Sequence, residues 1–200
     1  YHIRIIHLEM EVANLKKEKN QPIEWLQVIV LTAVFVIGIR SFIFSPITVD
    51  GASMMPTYEN GDRVIVNKIG KTISDLDRFD IIVFKAPDER NFIKRIIGLP
   101  GDHIAYKNDE LYVNGEKLEE PYLAKFKSEL NGFGDLTYDF TLEQLTDAAK
   151  IPEDYYLVLG DNRRKSSDSR DPRVGLVAKD QILGKAHIRI YPFTDIGLVN

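Results

Sequence analysis

The chain contains no cysteine. That rules out a disulfide framework, a thiolate zinc site and a cysteine nucleophile, while leaving an oxidising compartment open. Histidine is scarce, with 4 in 200 residues, and neither an HExxH motif nor a close carboxylate–histidine set occurs. A metal site therefore finds no support in these patterns. Basic residues are not in excess: 26 Lys and Arg stand against 30 Asp and Glu, for a net charge of -4. No basic stripe with interleaved aromatics appears, which argues against a nucleic-acid partner. Internal repeats and low-complexity tracts are missing too. At 200 residues the chain can hold one domain of moderate size, or a core with a sizeable insertion, and fold unaided.

Long apolar runs are also few, with one exception near the N-terminus. Residues 1–20 are polar and carry Lys16, Lys17 and Lys19; Trp25 to Ile39 then reads WLQVIVLTAVFVIGI without a charge. Ser41-Phe42-Ile43-Phe44 extends the apolar character past Arg40. As a helix, Trp25 to Phe44 rises roughly 30 Å at about 1.5 Å per residue, enough for a bilayer core. The uncharged part alone also fits a buried helix or a cleavable signal peptide. A buried helix, however, leaves the lysine-rich leader without purpose, and the run ends in Arg40 and Pro46 rather than in a small-x-small cleavage site. The expectation is a cytoplasmic tail over 1–20 and a single-pass membrane anchor over 21–45, with Arg40 snorkelling to the headgroups. By the positive-inside tendency, the rest of the chain lies on the extracytoplasmic side of the cell membrane.

After Pro46 the pattern becomes strand-like. Ile47 and Val49, Val64 to Val66, Ile81 to Phe84, Phe92-Ile93, Ile96-Ile97 and Tyr156 to Leu159 are β-branched or aromatic runs bounded by Gly, Pro, Asp and Asn. This predicts a mainly β, antiparallel core over 46–102 and 156–200. Asn114-Gly115 signals a two-residue hairpin, and Thr141 with Gln144 a capping box opening a short helix through about Ala149. Residues 103–155 thus read as a hairpin-bearing insertion.

Three clusters carry candidate chemistry. The first is Gly51-Ala52-Ser53-Met54-Met55-Pro56-Thr57. A serine hydroxyl needs a base beside it and donors for the oxyanion; here Gly51 permits close backbone approach and Pro56 fixes the exit of the turn. Alone, Ser53 is one loop serine among several. The second cluster runs from Lys94 to Asp102. In an extended segment Lys94 shares a face with Phe92 and Ile96, while Ile93 and Arg95 point the other way. A lysine on an apolar face loses hydration, and lowering its pKa from ~10.4 to near 8 requires roughly 3 kcal/mol, within what burial supplies. The bland alternative is a gatekeeper lysine on an edge strand. Arg95 next door needs a partner on the opposite face. The third cluster, Gly160 to Arg170, is by composition a solvated turn, yet it directly follows an apolar strand whose end can deliver side chains to a site.

Together, S-M-x-P-T, K-R-I-x-G-x-P-G-D and G-D-N-R followed by S-x-D-S-R, in that order after one anchor, resemble the bacterial type I signal peptidases, most closely their Gram-positive branch. The resemblance implies a membrane-anchored serine endopeptidase that removes signal peptides from secretory preproteins after Ala-x-Ala, without cofactor or metal. It implies Ser53 as nucleophile and Lys94 as general base, with Ser166 hydrogen-bonding and orienting the lysine. It implies further that Asp161 faces Arg95, and that Asp168 and Arg170 form a supporting ion pair. Met54 matches a residue near the cleavage pocket, and Ile47, Val49, Phe92 and Ile93 fall where the family builds shallow apolar subsites. Implied partners are the signal peptide, the lipid bilayer and the secretion translocon. Where some members carry a serine two residues before the nucleophile, this chain has Gly51, so a backbone N–H, that of Ser53, carries more of the oxyanion. Tyr58 stands where leucine is commoner and either reshapes the groove or packs as an ordinary aromatic.

Two other classes compete. A Ser/His hydrolase would use His103 or His187 as base, although both lie outside the clusters and read as strand residues. A non-enzymatic, membrane-tethered module would present preproteins without cutting them, against which the retained Ser53 and Lys94 count. A self-cleaving repressor-type Ser/Lys protease shares the dyad but lacks a span.

Overall fold

The computed structural model describes residues 22–38, 44–68, 76–130 and 134–199. The chain divides into two compact units, Tyr1–Phe42 and Ile43–Asn200. Of the first unit, a helix over residues 22–38 is described, and its apolar side chains, among them Trp25, Leu26, Leu31 and Phe35, are exposed. No helix among the described residues is long and apolar enough to cross a membrane. The lysine-bearing leader over 1–20, with His2 and His7, and the extension through Arg40, Ser41, Phe42 and Ile43 lie outside the described residues. Phe44 and Ser45, read from sequence as the end of the apolar span, instead open the first strand. Pro46 has no N–H to donate and disfavours helix at the residue before it, so the backbone is extended there.

Among the described residues, the second unit contains strands β1 (Phe44–Thr48), β2 (Arg63–Asn67), β3 (Ile81–Lys85), β4 (Asn91–Gly98), β5 (Ile104–Lys107), β6 (Glu110–Val113), β7 (Glu116–Leu118), β8 (Phe140–Thr141), β9 (Tyr155–Leu159), β10 (Val177–Ala178), β11 (Ile182–Tyr191) and β12 (Gly197–Leu198). One sheet has the order β1-β2-β11-β3-β4-β9-β10, with β12 on β11; a smaller one has the order β7-β6-β5-β8. Every pairing is antiparallel. The runs Phe92-Ile93 and Ile96-Ile97 are parts of the single strand β4, covered on both faces by different core clusters. Ile93 packs with Val49, Met54 and Val64, and Ile96 with Ile82, Phe84 and Val158. The smaller sheet has no separate core: Ile97, Leu157 and Leu159 of the large sheet pack with Ile104, Tyr106, Leu111 and Phe140.

Local signals account for the turns. Asn114 and Gly115, both at positive φ (53° and 86°), join β6 to β7 as a two-residue hairpin requires. The capping box on Thr141 and Gln144 forms, but the helix ends at Thr146, short of Ala149. Asp147 adopts the left-handed conformation (φ 58°) and donates its N–H to Glu143 O, which closes the last turn.

Candidate active site

Past β1 the chain is tied back at once: Val49 N–H donates to Asp62 O at 2.8 Å, and Val49 O accepts from Gly61 N–H at 2.9 Å. The loop between them turns at Gly51, which has φ 93° and donates to Asn60 Oδ1 at 2.8 Å. A β-carbon at that φ is strained, so glycine at this position is a backbone requirement. Asn162 then grips the loop at two points. Its side-chain Nδ2 donates to Ala52 O at 3.0 Å and its backbone N–H to Ser53 O at 3.0 Å.

Lys94 approaches from β4, an interior strand flanked by β3 and β9. β9 pairs with β4 only from Arg95 onward, but the Lys94 side chain is buried rather than solvated, so the gatekeeper reading falls. Lys94 is 3% exposed; its Nζ lies 2.9 Å from Ser53 Oγ, 2.9 Å from Ile93 O and 5.1 Å from the centre of the Phe92 ring. The Phe92 contact is the alternation expected of an extended strand. Burial lowers the amine from 10.5 to about 8, against the opposing pull of the Asp168 and Asp161 charges. An amine so placed is neutral over a usable part of the pH range and can accept the Ser53 proton.

Arg95, on the other face, forms a two-pronged pair with Asp161: Nε donates to Oδ1 at 3.0 Å and Nη2 to Oδ2 at 2.8 Å. Both side chains are buried (1% and 0% exposed), Thr57 Oγ1 donates to Asp161 Oδ2 at 2.5 Å, and the Tyr122 ring covers the guanidinium at 3.9 Å. Asp168 and Arg170 are likewise paired, at 2.8 Å on each prong, and Asp168 Oδ2 also accepts from Gly160 N–H at 3.0 Å. Removing one partner of a buried pair strands the other charge. Asp161→Ala is therefore expected to destabilise the fold by about 3–5 kcal/mol in urea titration, where breaking the exposed Lys85–Glu89 pair costs under about 1 kcal/mol.

A cavity of about 390 Å³ runs from Ser53 and Lys94 along the two segments that carry them. Ile47, Val49 and Gly51 line one side, and Phe92 and Ile93 the other.

The family profile for signal peptidases, peptidase S26, matches residues 22–191. The chain belongs to the signal peptidase family. It is 45% identical over 193 residues to signal peptidase I S of Bacillus subtilis, covering 96% of this chain and all of that one. With signal peptidase I of Bacillus caldolyticus it shares 47% identity over 178 residues, 89% of this chain and 94% of the relative. A crystal structure of a signal peptidase I from Enterococcus faecalis matches with a TM-score of 0.53 at 43% identity, over 56% of this chain and 97% of that one.

Within this signal peptidase, two residues sit differently from the sequence expectation. Met54 is fully buried in the core with Val64 and Ile81 and does not line the cavity, because the turn after Ser53 directs it inward. Ser166 Oγ is buried, yet has no hydrogen-bond partner, so the expected bond to Lys94 is not formed; Ile93 O occupies that role at Nζ. Tyr58 is a packed aromatic: it is fully buried and donates to Ala186 O at 2.9 Å. His103 is a poor base candidate, its exposed ring paired with Glu143 at 3.0 Å and off the cavity; the side chain of His187 lies outside the described residues. Among the described residues no group of three or more metal-ligating side chains converges.

Sequence reading did not single out Asn162 or Thr57, although both stand inside the quoted motifs. For Asn162 the available signal was a polar side chain just past the end of β9; for Thr57, in the loop between β1 and β2, it was only the place in the motif.

Proposed function

We propose that this signal peptidase cuts by a Ser53/Lys94 dyad. The observation that supports it above others is a lysine amine, buried and without a paired carboxylate at ion-pair distance among the described residues, 2.9 Å from a serine oxygen, with both residues lining one cavity. In the neutral form, Ser53 O–H donates to the Lys94 lone pair. As Ser53 Oγ bonds to the substrate carbonyl carbon, its proton passes to Nζ. The resulting ammonium gives that proton to the departing amine as the C–N bond breaks, and water then hydrolyses the acyl ester with Lys94 again as base. Ser53 N–H serves the oxyanion, since Gly51 brings no hydroxyl. The Arg95–Asp161 and Asp168–Arg170 pairs hold the two segments in place without reacting.

The peptide binds extended. The pairing of β9 with β4 begins at Arg95, so the edge of Asn91 to Lys94 away from β3 is open. Beyond β1 the segment Val49 to Ala52 is also unpaired on its cavity side. A strand-like substrate fits between these two edges, and Ile47, Val49, Phe92 and Ile93 offer shallow apolar contacts suited to the small side chains of Ala-x-Ala.

Residues 1–20 lie in the cytoplasm and a membrane anchor follows from residue 21 and ends before β1, which takes in Phe44 and Ser45; the catalytic core, from β1 to 102 and over 156–200, lies on the outer side, with 103–155 as a cap. The apolar, exposed side chains of helix 22–38 support the anchor. Tyr191 and Phe193, whose rings meet edge to face at 5.7 Å, and Ile196 and Leu198 are exposed and apolar, as suits a lipid surface. Preproteins arrive at this surface from the translocon.

Purified full-length chain in detergent at pH 8 is expected to cut a synthetic Ala-x-Ala signal peptide after the second alanine, and Ser53→Ala to give no product by mass spectrometry. Intact substrate with the wild-type chain, or cleavage by the variant, rejects the proposal.

A further inference from the structure

A second buried arginine bonds to the carbonyl of Gly160, and its partner comes from the segment just after the last strand of the β5-β6-β7 hairpins. Arg163 and Glu120 are paired with side chains 0% and 2% exposed. Glu120 lies between β7 and the short turn Pro121–Leu123. Its Oε1 accepts three bonds, from Arg163 Nη2 at 2.5 Å, Tyr106 O–H at 2.7 Å and Tyr122 O–H at 2.6 Å. Its Oε2 is buried with no hydrogen-bond partner. Burial alone pushes this carboxyl up, but the Arg163 charge and the donors from Arg163, Tyr122 and Tyr106 outweigh it and hold the group below the ordinary carboxylate range. Glu120 is therefore an anion in a dry site, tolerable only while Arg163 faces it.

Arg163 does more than neutralise that charge. Its Nη1 meets Tyr106 Oη at 2.8 Å and Thr137 Oγ1 at 3.2 Å, and its Nε donates to Gly160 O at 3.1 Å. Gly160 is packed so closely on the nucleophile loop that a β-carbon there would stand 2.4 Å from Ser53 O. The residues that follow it, Asp161 and Asn162, hold Arg95 and the carbonyls of Ala52 and Ser53. A rigid chain of bonds thus leads from Glu120 through Arg163 and Gly160 to the peptide that carries the nucleophile. Neither Glu120 nor Arg163 lines the substrate cavity.

We infer that Glu120 is a positioning residue for acyl transfer, acting through Arg163 on the Gly160 carbonyl to fix Ser53 relative to Lys94. The smaller sheet thereby sets the attack geometry of a dyad to which it contributes no side chain. Tyr122, beside Glu120, works in the same direction by covering the Arg95 guanidinium. The inference rests on the dyad reading above.

The test is steady-state cleavage of the Ala-x-Ala peptide by the full-length chain in detergent, with the folded fraction measured by circular dichroism. Glu120→Gln keeps the volume, removes the charge and lets Arg163 relax. Misplacement of this kind is expected to lower kcat about tenfold to a hundredfold while KM stays within about twofold of wild type. Tyr106→Phe is the gentler variant, since it keeps the ion pair and removes one bond from each partner. It is expected to lower kcat about threefold with an unchanged KM and a melting midpoint near wild type. Undiminished kcat in both variants, or a loss of kcat that only tracks the unfolded fraction, overturns the inference. Should Glu120→Gln fail to fold, Tyr106→Phe decides alone. A wild-type chain that does not cut at all overturns the peptidase proposal instead, so the two failures are distinct.

Discussion

Replacing Lys94 by methionine is expected to lower cleavage by about 10³-fold and, at the same time, to make the protein more stable below pH 8. The first effect is loss of the proton acceptor 2.9 Å from Ser53 Oγ. The second follows from proton linkage. Burial holds the amine at about 8 in the fold, against 10.5 in an unperturbed chain. Between those values the unfolded chain binds more protons than the folded one, so wild-type stability rises with pH across that window. Below about pH 8 the ammonium must be buried in full, at a cost of about 3 kcal/mol for a shift of this size. Methionine removes that cost. Its gain in melting temperature over wild type should therefore be largest at pH 6 and shrink towards pH 10. Wild-type kcat/KM should climb about tenfold per pH unit up to about 8 and then level off. A flat profile from pH 6 to 9 with chemistry rate-limiting, or turnover surviving in Lys94→Met, would sink the role assigned to this amine.

Much of this site was legible in the sequence because strand alternation is a strong local rule. Placing Lys94 on the Phe92 face and Arg95 opposite required only period-two geometry, and the structure has Nζ over the Phe92 ring and Arg95 on Asp161. Asn114-Gly115 and the Thr141 capping box were readable for the same reason, since turn and cap chemistry is written in adjacent residues. The parts that were not legible depend on contacts across the sheet order. Met54 follows the nucleophile directly, yet its burial with Val64 and Ile81 is decided by strands far along the chain. Ser166 is adjacent to the right loop, but its side chain packs against Gly160. Glu120 carried no motif, because its meaning comes from Arg163, Tyr106 and Tyr122 meeting in one dry pocket. The length of the N-terminal apolar span was overread at its end, where Pro46 turns Phe44 and Ser45 into strand.

Gly160→Ala should be the second most damaging change, and for a reason unrelated to backbone torsion. Its φ is not in the left-handed region; the constraint is space. An added β-carbon would stand 2.4 Å from Ser53 O and 2.2 Å from Ser166 Oγ. Rotation of Ser166 relieves the contact with its Oγ but not the one with its β-carbon at 2.6 Å, and the Ser53 carbonyl is part of the nucleophile's own peptide and is held by Asn162 N–H at 3.0 Å. Relief therefore has to displace Ser53, and a shift on the order of 1 Å at a reacting oxygen can cost about a hundredfold in kcat. Removing the other obstruction should not help, so Gly160→Ala combined with Ser166→Gly is expected to stay as slow as Gly160→Ala alone. Gly184→Ala is the informative contrast. Its β-carbon would meet Asn67 O at 2.4 Å, an equally hard collision, but between β11 and β2 and away from the cavity. That variant should lose stability in urea titration while its folded fraction keeps wild-type kcat. If Gly160→Ala instead keeps its kcat and only melts earlier, the close approach at Gly160 is packing alone, and the route by which the Gly160 loop positions Ser53 is wrong.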